Sequence, residues 1–359
     1  MKRVLLTGAS TLTGSHVLAQ LLSFNISVRA VVETREEAQS LQQQYPPTAT
    51  RRLDFSIVPS KDLAVRGAFN NALNSHSAPF DTVIHTAIAD PAEQADCLAR
   101  LVNLETEALA NFLSSVKHIA TRTQRVIITD SLTPFARWLV HPQQEQSPRA
   151  GHFSPHRAAE TDSEYVLAAS QASDNIVYDA LSKWRDAHAS FDLVYVTAPS
   201  VYGPSIRPLE NSSDLEEANR RIWNICSNDS HERVTSPPYG IDFFTDVRDL
   251  AYAIVQAVFT QQAGNRRFIV SAGSMPSGSA IADILISRFP ELGSRMQPGG
   301  SPPRRPPVGH SSLESVDNHL AETILGLARY RPAEETLTDV ARQILDLHRR
   351  KEWKRVIHS

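Results

Sequence analysis

A strand, a glycine turn and a helix start open the chain, and together they have the chemistry to hold a pyrophosphate. Lys2 to Leu6 read as a short buried strand, and Thr7-Gly8-Ala9-Ser10-Thr11-Leu12-Thr13-Gly14 as the turn. His16 to Leu22 then begin a helix with apolar residues at helical spacing. Such a turn offers backbone N–H groups to an anion, and the helix dipole favours the negative charge. The N-terminal half is therefore expected to bind a dinucleotide, cradled by Gly8, Ser10, Thr11, Leu12, Thr13 and Gly14. The usual spacing is G-x-x-G-x-x-G, and the middle glycine is Thr11 here. A side chain at that place takes room that a phosphate approach would use. The remaining reactive groups suggest less. His152 and His156 stand four apart, but Pro155 argues against the helix that would align them as ligands, so no metal site is expected. His85 reads as a hydrogen-bonded strand-end residue rather than a general base.

The elements that must position this turn alternate. Val28 to Val32, Asp54 to Val58, Arg125 to Thr129 and Asp192 to Thr197 are further strand candidates, and Asp81 to Ala87 reads as a strand with its C-terminal turn. Helical stretches lie between them at Glu36 to Gln44, Gly67 to Leu73, Leu98 to Lys117 and Ile176 to Ser190. That alternation predicts an α/β fold, a Rossmann-type doubly wound parallel sheet with a smaller C-terminal substrate-binding lobe. Residues 1–200 form the dinucleotide-binding domain, 243–271 return to it, and 201–242 with 272–359 form the lobe. Pro134 to Ser173 reads as a long surface excursion, Pro298 to Pro307 as a linker, and Leu313 to His348 as helical. With 359 residues the chain can bury a large core, and its net charge of -3 shows no basic stripe for nucleic acid. No apolar run is long enough to span a membrane. Two cysteines, Cys97 and Cys226, are too few for a disulfide framework, which favours a reducing, cytoplasmic setting.

Six short motifs in order resemble those of the extended short-chain dehydrogenases/reductases, over residues 1 to about 260. The glycine turn is the first. Phe55 to Pro59 with Asp62-Leu63 is similar to the adenine-contacting segment, and Val83-Ile84-His85-Thr86-Ala87 to the turn beside the cofactor. Ile127-Ile128-Thr129-Asp130-Ser131 resembles the strand end with the catalytic serine. Val201-Tyr202-Gly203-Pro204 and Phe244-Thr245-Asp246-Val247-Arg248-Asp249 match two later signatures. The branch it looks most like holds methylglyoxal, dihydroflavonol and cinnamoyl-CoA reductases. The resemblance implies reduction of a ketone or aldehyde with NADPH or NADH, and a monomer or homodimer pairing through Leu98–Lys117 and Ile176–Ser190. It also implies coenzyme contacts from His85, Thr86, Ala87, Pro199 and Val201. Asp246 to Asp249 read as structural, closing the lobe onto the sheet.

In this family a tyrosine gives the proton, a lysine one helical turn later tunes it and holds ribose, and a serine binds the same oxygen. Ser131 and Lys183 match two of these, and Tyr178 is the phenol nearest Lys183. The family spacing is Tyr-x-x-x-Lys, whereas Tyr178 and Lys183 stand five apart, and Asp179 holds the matching place. An i,i+4 pair sits about 40° apart around a helix and an i,i+5 pair about 140°. Three readings stay open: a one-residue π-bulge restores the alignment, Asp179 is the acid/base, or the redox machinery is lost and the scaffold serves a cyclase, isomerase, dehydratase or binding protein. Asp130 is a further carboxylate beside the serine. Past the second strand, Glu33 stands where NADPH-using relatives carry arginine, which leans to NADH, while Arg35 two residues on could accept a 2′-phosphate.

Overall fold

The computed structural model describes residues 2–75, 78–87, 94–140, 163–226, 243–294 and 318–358. In chain order the elements are β1 (Arg3–Thr7), α1 (Leu12–Ser23), β2 (Ser27–Val32), α2 (Arg35–Gln44), α3 (Pro47–Thr50), β3 (Leu53–Ile57), α4 (Asn70–Leu73) and β4 (Thr82–His85). Then come α5 (Leu98–Ile119), β5 (Arg125–Ser131), α6 (Thr133–Val140), α7 (Ser163–His188), β6 (Asp192–Ala198) and β7 (Ser200–Tyr202). The chain continues with α8 (Glu217–Cys226), β8 (Phe244–Asp246), α9 (Val247–Phe259), β9 (Arg267–Ile269), α10 (Gly278–Arg288), α11 (His319–Leu325) and α12 (Ala333–His358).

Seven strands form one sheet in the order β3-β2-β1-β4-β5-β6-β9, and every pairing is parallel. The order reverses between β1 and β4. Both strand ends diverge there, opening a crevice at their carboxyl side, where open α/β sheets bind ligands. The strands are apolar on both faces because both are covered. Val4, Leu6, Ile84, Ile127 and Val194 pack under α1, α9 and α11. Their neighbours Leu5, Val83, Val126, Ile128 and Tyr195 point the other way, under α5 and α7. A third cluster joins α8, α10 and α12, and beside it β7 and β8 form a two-stranded parallel sheet.

The Asp246–Asp249 segment ties these parts together, as its sequence suggests. Asp246 caps α9 by accepting from Arg248 N–H at 2.8 Å, and it accepts from the Thr336 hydroxyl at 2.7 Å. Arg248 reaches Asp339 of α12 at 2.7 Å, and Asp249 pairs with Arg331.

Three expectations change. The Pro134–Ser173 excursion contains helix at both ends, because α6 follows β5 at once and α7 begins at Ser163. Helix α7 is thus much longer than Ile176–Ser190. Its first turns bury Val166 and Leu167 on Leu132 and Ala136, contacts that no local pattern reveals. Among its described residues the Leu313–His348 stretch holds two helices, since Gly326 adopts φ 72° and ends α11. His152, His156 and the Pro298–Pro307 stretch lie outside the described residues.

Candidate active site

The glycine turn is built by close approach of backbone to backbone. Gly8 has φ +64°, and a Cβ there would lie 2.9 Å from Ala87 N and from Thr86 Oγ1. A Cβ on Gly14 would lie 1.9 Å from Gly8 O, so α1 begins directly against the turn. Thr11 fits without a glycine because its φ is -67°. Its hydroxyl folds back into the turn, donating to Gly8 O at 2.8 Å and accepting from Gly14 N–H at 3.0 Å. The side chain expected to obstruct the approach is therefore an N-cap. The turn's affinity for anions is visible, since Leu12 N–H donates to the Glu216 carboxylate at 3.3 Å. Glu216 is exposed and free to swing aside, so the turn fits a pyrophosphate.

The end of β4 closes the other side. The Thr7 hydroxyl accepts from Thr86 N–H at 3.1 Å and Ala87 N–H at 3.2 Å, and lies 2.9 Å from His85 Nδ1. With both acceptor directions used, Thr7 donates its proton to Nδ1, leaving His85 the Nε2–H tautomer. The ring stacks on Phe112 at 4.0 Å and meets Phe69 edge-on at 5.5 Å. Burial lowers its pKa to about 3, so it is a neutral structural residue, as its strand-end position suggests. A folded pKa below the unfolded value means stability is full above about 6.5 and falls as pH drops toward 3. We expect wild-type stability to fall by up to ~1.4 kcal/mol per pH unit in that window, and His85→Gln to flatten the slope. Urea midpoints measured from neutral to acid pH test this.

Just past the carboxyl end of β2 two carboxylates, Glu33 and Glu37, stand close together. Thr34 caps α2 by accepting Glu37 N–H at 3.2 Å, and Glu37 accepts Glu33 N–H at 3.0 Å. Arg35 is exposed. Arg29 is committed to Asp54, Nε to carboxylate, at 2.5 Å. Leu63, just after the short 3-10 turn containing Asp62, lines a small cavity with His85, Ala87 and Glu105.

Between the turn and β5 lies a cavity of about 290 Å³. Thr11, Leu12 and Thr13 line one side, Thr129, Asp130 and Ser131 another, with Thr86, Ser200 and Val201 between. Ser131 Oγ lies 3.0 Å from Thr133 Oγ1 and accepts from Thr133 N–H at 3.1 Å. Pro199 sits just behind, its carbonyl 3.4 Å from Ser131 Oγ.

The structure does not bring Tyr178, Asp179 and Lys183 to this cavity. Helix α7 is α-helical throughout, with no π turn to restore the spacing. Tyr178 turns inward against Tyr195, centroids 5.5 Å apart, under the Arg267 guanidinium, while Asp179 and Lys183 are exposed. The reason is architectural. A crossover helix runs antiparallel to its strands, so only its first turns stand at their carboxyl ends. From Tyr165 to Lys183 the axis advances about 27 Å. Tyr165 stands in the first turns, beside Val166 and Leu167 on Leu132, and is 59% exposed. The residue one helical turn after it is Ala169, so Tyr165 has no lysine partner at that spacing. This tyrosine lacks the lysine that would mark it in the sequence.

What the structure adds is a buried acidic network. The Tyr195 hydroxyl lies within hydrogen-bond reach of the Asp130 carboxyl and 3.0 Å from Asp174 Oδ1. Thr197 donates to Asp174 at 3.0 Å, and Arg267 pairs with Asp174. Glu105 hydrogen-bonds Asp130, and Ser131 N–H donates to Asp130 Oδ1 at 2.6 Å. Burial and then the Asp174 charge raise the Asp130 pKa to about 7. Burial likewise raises Asp174, with Arg267 opposing. Among the described residues no group of His, Cys, Asp and Glu is arranged to hold a metal.

Comparison with known proteins agrees with this geometry. The chain is similar to ketoreductase azaE of Aspergillus niger, 26% identical across 96% of this chain and 98% of that protein. It is also similar to the putative NADPH-dependent methylglyoxal reductase GRP2 of Candida albicans, 24% identical across 95% and 98%. Its fold matches Gre2 of Candida albicans in complex with NADPH, with a TM-score of 0.69 at 19% identity over 97% and 100% of the two chains. The sequence pattern of the NAD dependent epimerase/dehydratase family matches residues 4–272, three quarters of the chain. The chain belongs to the NAD dependent epimerase/dehydratase family.

Proposed function

We propose that the protein reduces a ketone or aldehyde with a nicotinamide dinucleotide. The observation that carries this reading is one continuous cavity joining the anion-binding turn, Thr11 to Thr13, to Ser131. Gly8, Ser10, Leu12 and Gly14 hold the pyrophosphate, and Thr86, Ala87, Pro199 and Val201 border the nicotinamide side. Asp62 and Leu63 mark the adenine end. When bound, the reduced coenzyme supplies a hydride to the carbonyl carbon. Ser131 donates its hydroxyl hydrogen bond to the carbonyl oxygen and stabilises the charge that develops there. The relatives point to NADPH. Glu33 and Glu37 oppose a 2′-phosphate and Arg35 favours it, so both coenzymes belong in the assay.

From the expected lobe, Val201, Glu216 and Ala218 border the cavity on the substrate side. Cys97 on the surface and Cys226 in the core are unbridged, which supports a reducing, cytoplasmic setting. The test is loss of reduced-coenzyme absorbance across a panel of small ketones and aldehydes. Turnover with at least one member is expected, and none with either coenzyme overturns the reading. Ser131→Ala should lower kcat by ~100- to 1000-fold and leave the coenzyme Kd within about twofold. Stopped-flow turnover and calorimetric titration measure the two separately.

A further inference from the structure

We propose that Asp130 is the proton donor of this reduction, and that Tyr195, Asp174 and Glu105 are positioning residues that keep its carboxyl protonated at the cavity wall. The inference rests on the reductase reading and deepens it.

The argument starts from counting protons. Three carboxyls, Glu105 of α5, Asp130 of β5 and Asp174 of α7, surround the single phenol of Tyr195 of β6. A phenol has one proton and cannot donate to two carboxylates at once. Asp174 already accepts from Thr197 and pairs with Arg267 of β9, which favours its ionised form. The Tyr195 proton then belongs to Asp174, and the Tyr195–Asp130 bond must carry the proton of Asp130. The Glu105–Asp130 contact needs one further proton, shared between those two carboxyls. The three carboxyls are 0–6% exposed, and Arg267 is engaged by Asp174, so ionising Asp130 next to Asp174 would bury a second negative charge beside the first.

This reservoir opens on the active cavity. Asp130 lines it beside Ser131 and Thr129, with Arg137 of α6 on the same wall. Its Oδ1 holds the backbone N–H of Ser131 itself. A substrate oxygen bound by Ser131 thus lies next to a carboxylic acid. The usual phenol–lysine pair is absent, because Ala169 follows Tyr165 and Lys183 is remote. In the step, the carbonyl carbon receives the hydride that the reduced coenzyme supplies. The carbonyl oxygen takes the proton from Asp130, whose O–H bond breaks. The resulting carboxylate recovers a proton from water in the open cleft.

Infrared difference spectra of the whole protein test the protonation without any substrate. At about pH 6 the wild type should show the C=O stretch of a protonated carboxyl that disappears on titration through about 7 and is missing in Asp130→Asn. No such band in the wild type overturns the proposal, even if the enzyme turns over. In kinetics, kcat should fall as pH rises through the same midpoint. Asp130→Asn should lower kcat ~100-fold or more with coenzyme Kd kept within about twofold. Asp174→Asn removes the neighbouring charge and should move the alkaline limb to lower pH, which a merely structural role would not do. If Asp130→Asn keeps kcat and its pH limb while Tyr165→Phe abolishes turnover, the phenol is the donor and the proposal fails. A wild type that shows the band but reduces no carbonyl contradicts the donor role and the reductase reading while leaving the protonated Asp130 in place.

Discussion

Gly14→Ala is expected to cost the protein stability and coenzyme affinity together. The added methyl carbon would lie 1.9 Å from Gly8 O, 2.7 Å from Gly8 C and 3.0 Å from Ala9 Cα. All three are backbone atoms, so no side chain can rotate away. Either the start of α1 lifts from the turn or the turn opens. Overpacking of this kind costs typically about 1–3 kcal/mol, and a backbone clash belongs at the upper end. Lifting α1 also withdraws the N–H groups that face the crevice, so the Kd for coenzyme should weaken more than ~10-fold in the protein that still folds. Urea unfolding and calorimetric titration on the same preparation measure the two effects. Wild-type stability and affinity would show that the helix does not need this close approach.

The second large effect lies at the join between sheet and lobe. Asp246 is fully buried and accepts from Arg248 N–H at 2.8 Å, Arg248 Nε at 2.9 Å, a terminal guanidinium N–H at 2.8 Å and the Thr336 hydroxyl at 2.7 Å. Burial alone would raise its pKa, but the bonds from Arg248 and Thr336 outweigh burial and hold it below the ordinary carboxylate range. Asp246→Ala strips the α9 cap, leaves the Thr336 hydroxyl only its longer bond to Pro332 O and takes from Arg248 its buried counter-ion. Breaking a buried pair by removing one partner costs roughly 3–5 kcal/mol. Asp246→Asn keeps the shape and should cost less. The sign with pH follows from the lowered folded pKa. The contribution is present above the unfolded carboxyl pKa and is lost as pH falls below it. Equal urea midpoints for Asp246→Ala and wild type at neutral pH would contradict this account of the join.

The parts of the fold legible in the sequence are those whose signal is local. Val28–Val32, Arg125–Thr129 and Asp192–Thr197 are apolar because parallel strands are covered on both faces, and each proves to be strand, as does Thr82–His85 within Asp81–Ala87. Gly8 and Gly14 announce the turn because only glycine tolerates those contacts. Thr11 is harder to read, since a threonine at a missing glycine looks like an obstacle until its hydroxyl is seen capping α1. Helix α7 is legible only in its second half. Its first turns run through Ala168, Ala169, Ser170, Ala172 and Ser173, which carry little periodic hydrophobicity, and they are held by contacts with α6. Spacing alone therefore pairs Tyr178 with Lys183, because local motif reading ignores how far along its helix a residue stands. The acidic network was beyond reach for a different reason. Glu105, Asp130, Asp174 and Tyr195 come from four elements, and only the sheet brings them together.

The central claim is that this crevice moves a hydride from a nicotinamide to a carbonyl carbon. Reduced coenzyme deuterated at the transferring position of the ring, mixed with a turned-over ketone or aldehyde, tests it most directly. The account predicts an alcohol with one deuterium on the former carbonyl carbon and its hydroxyl proton drawn from water. An alcohol without deuterium, or coenzyme bound in the crevice and never oxidised by any carbonyl, would contradict it.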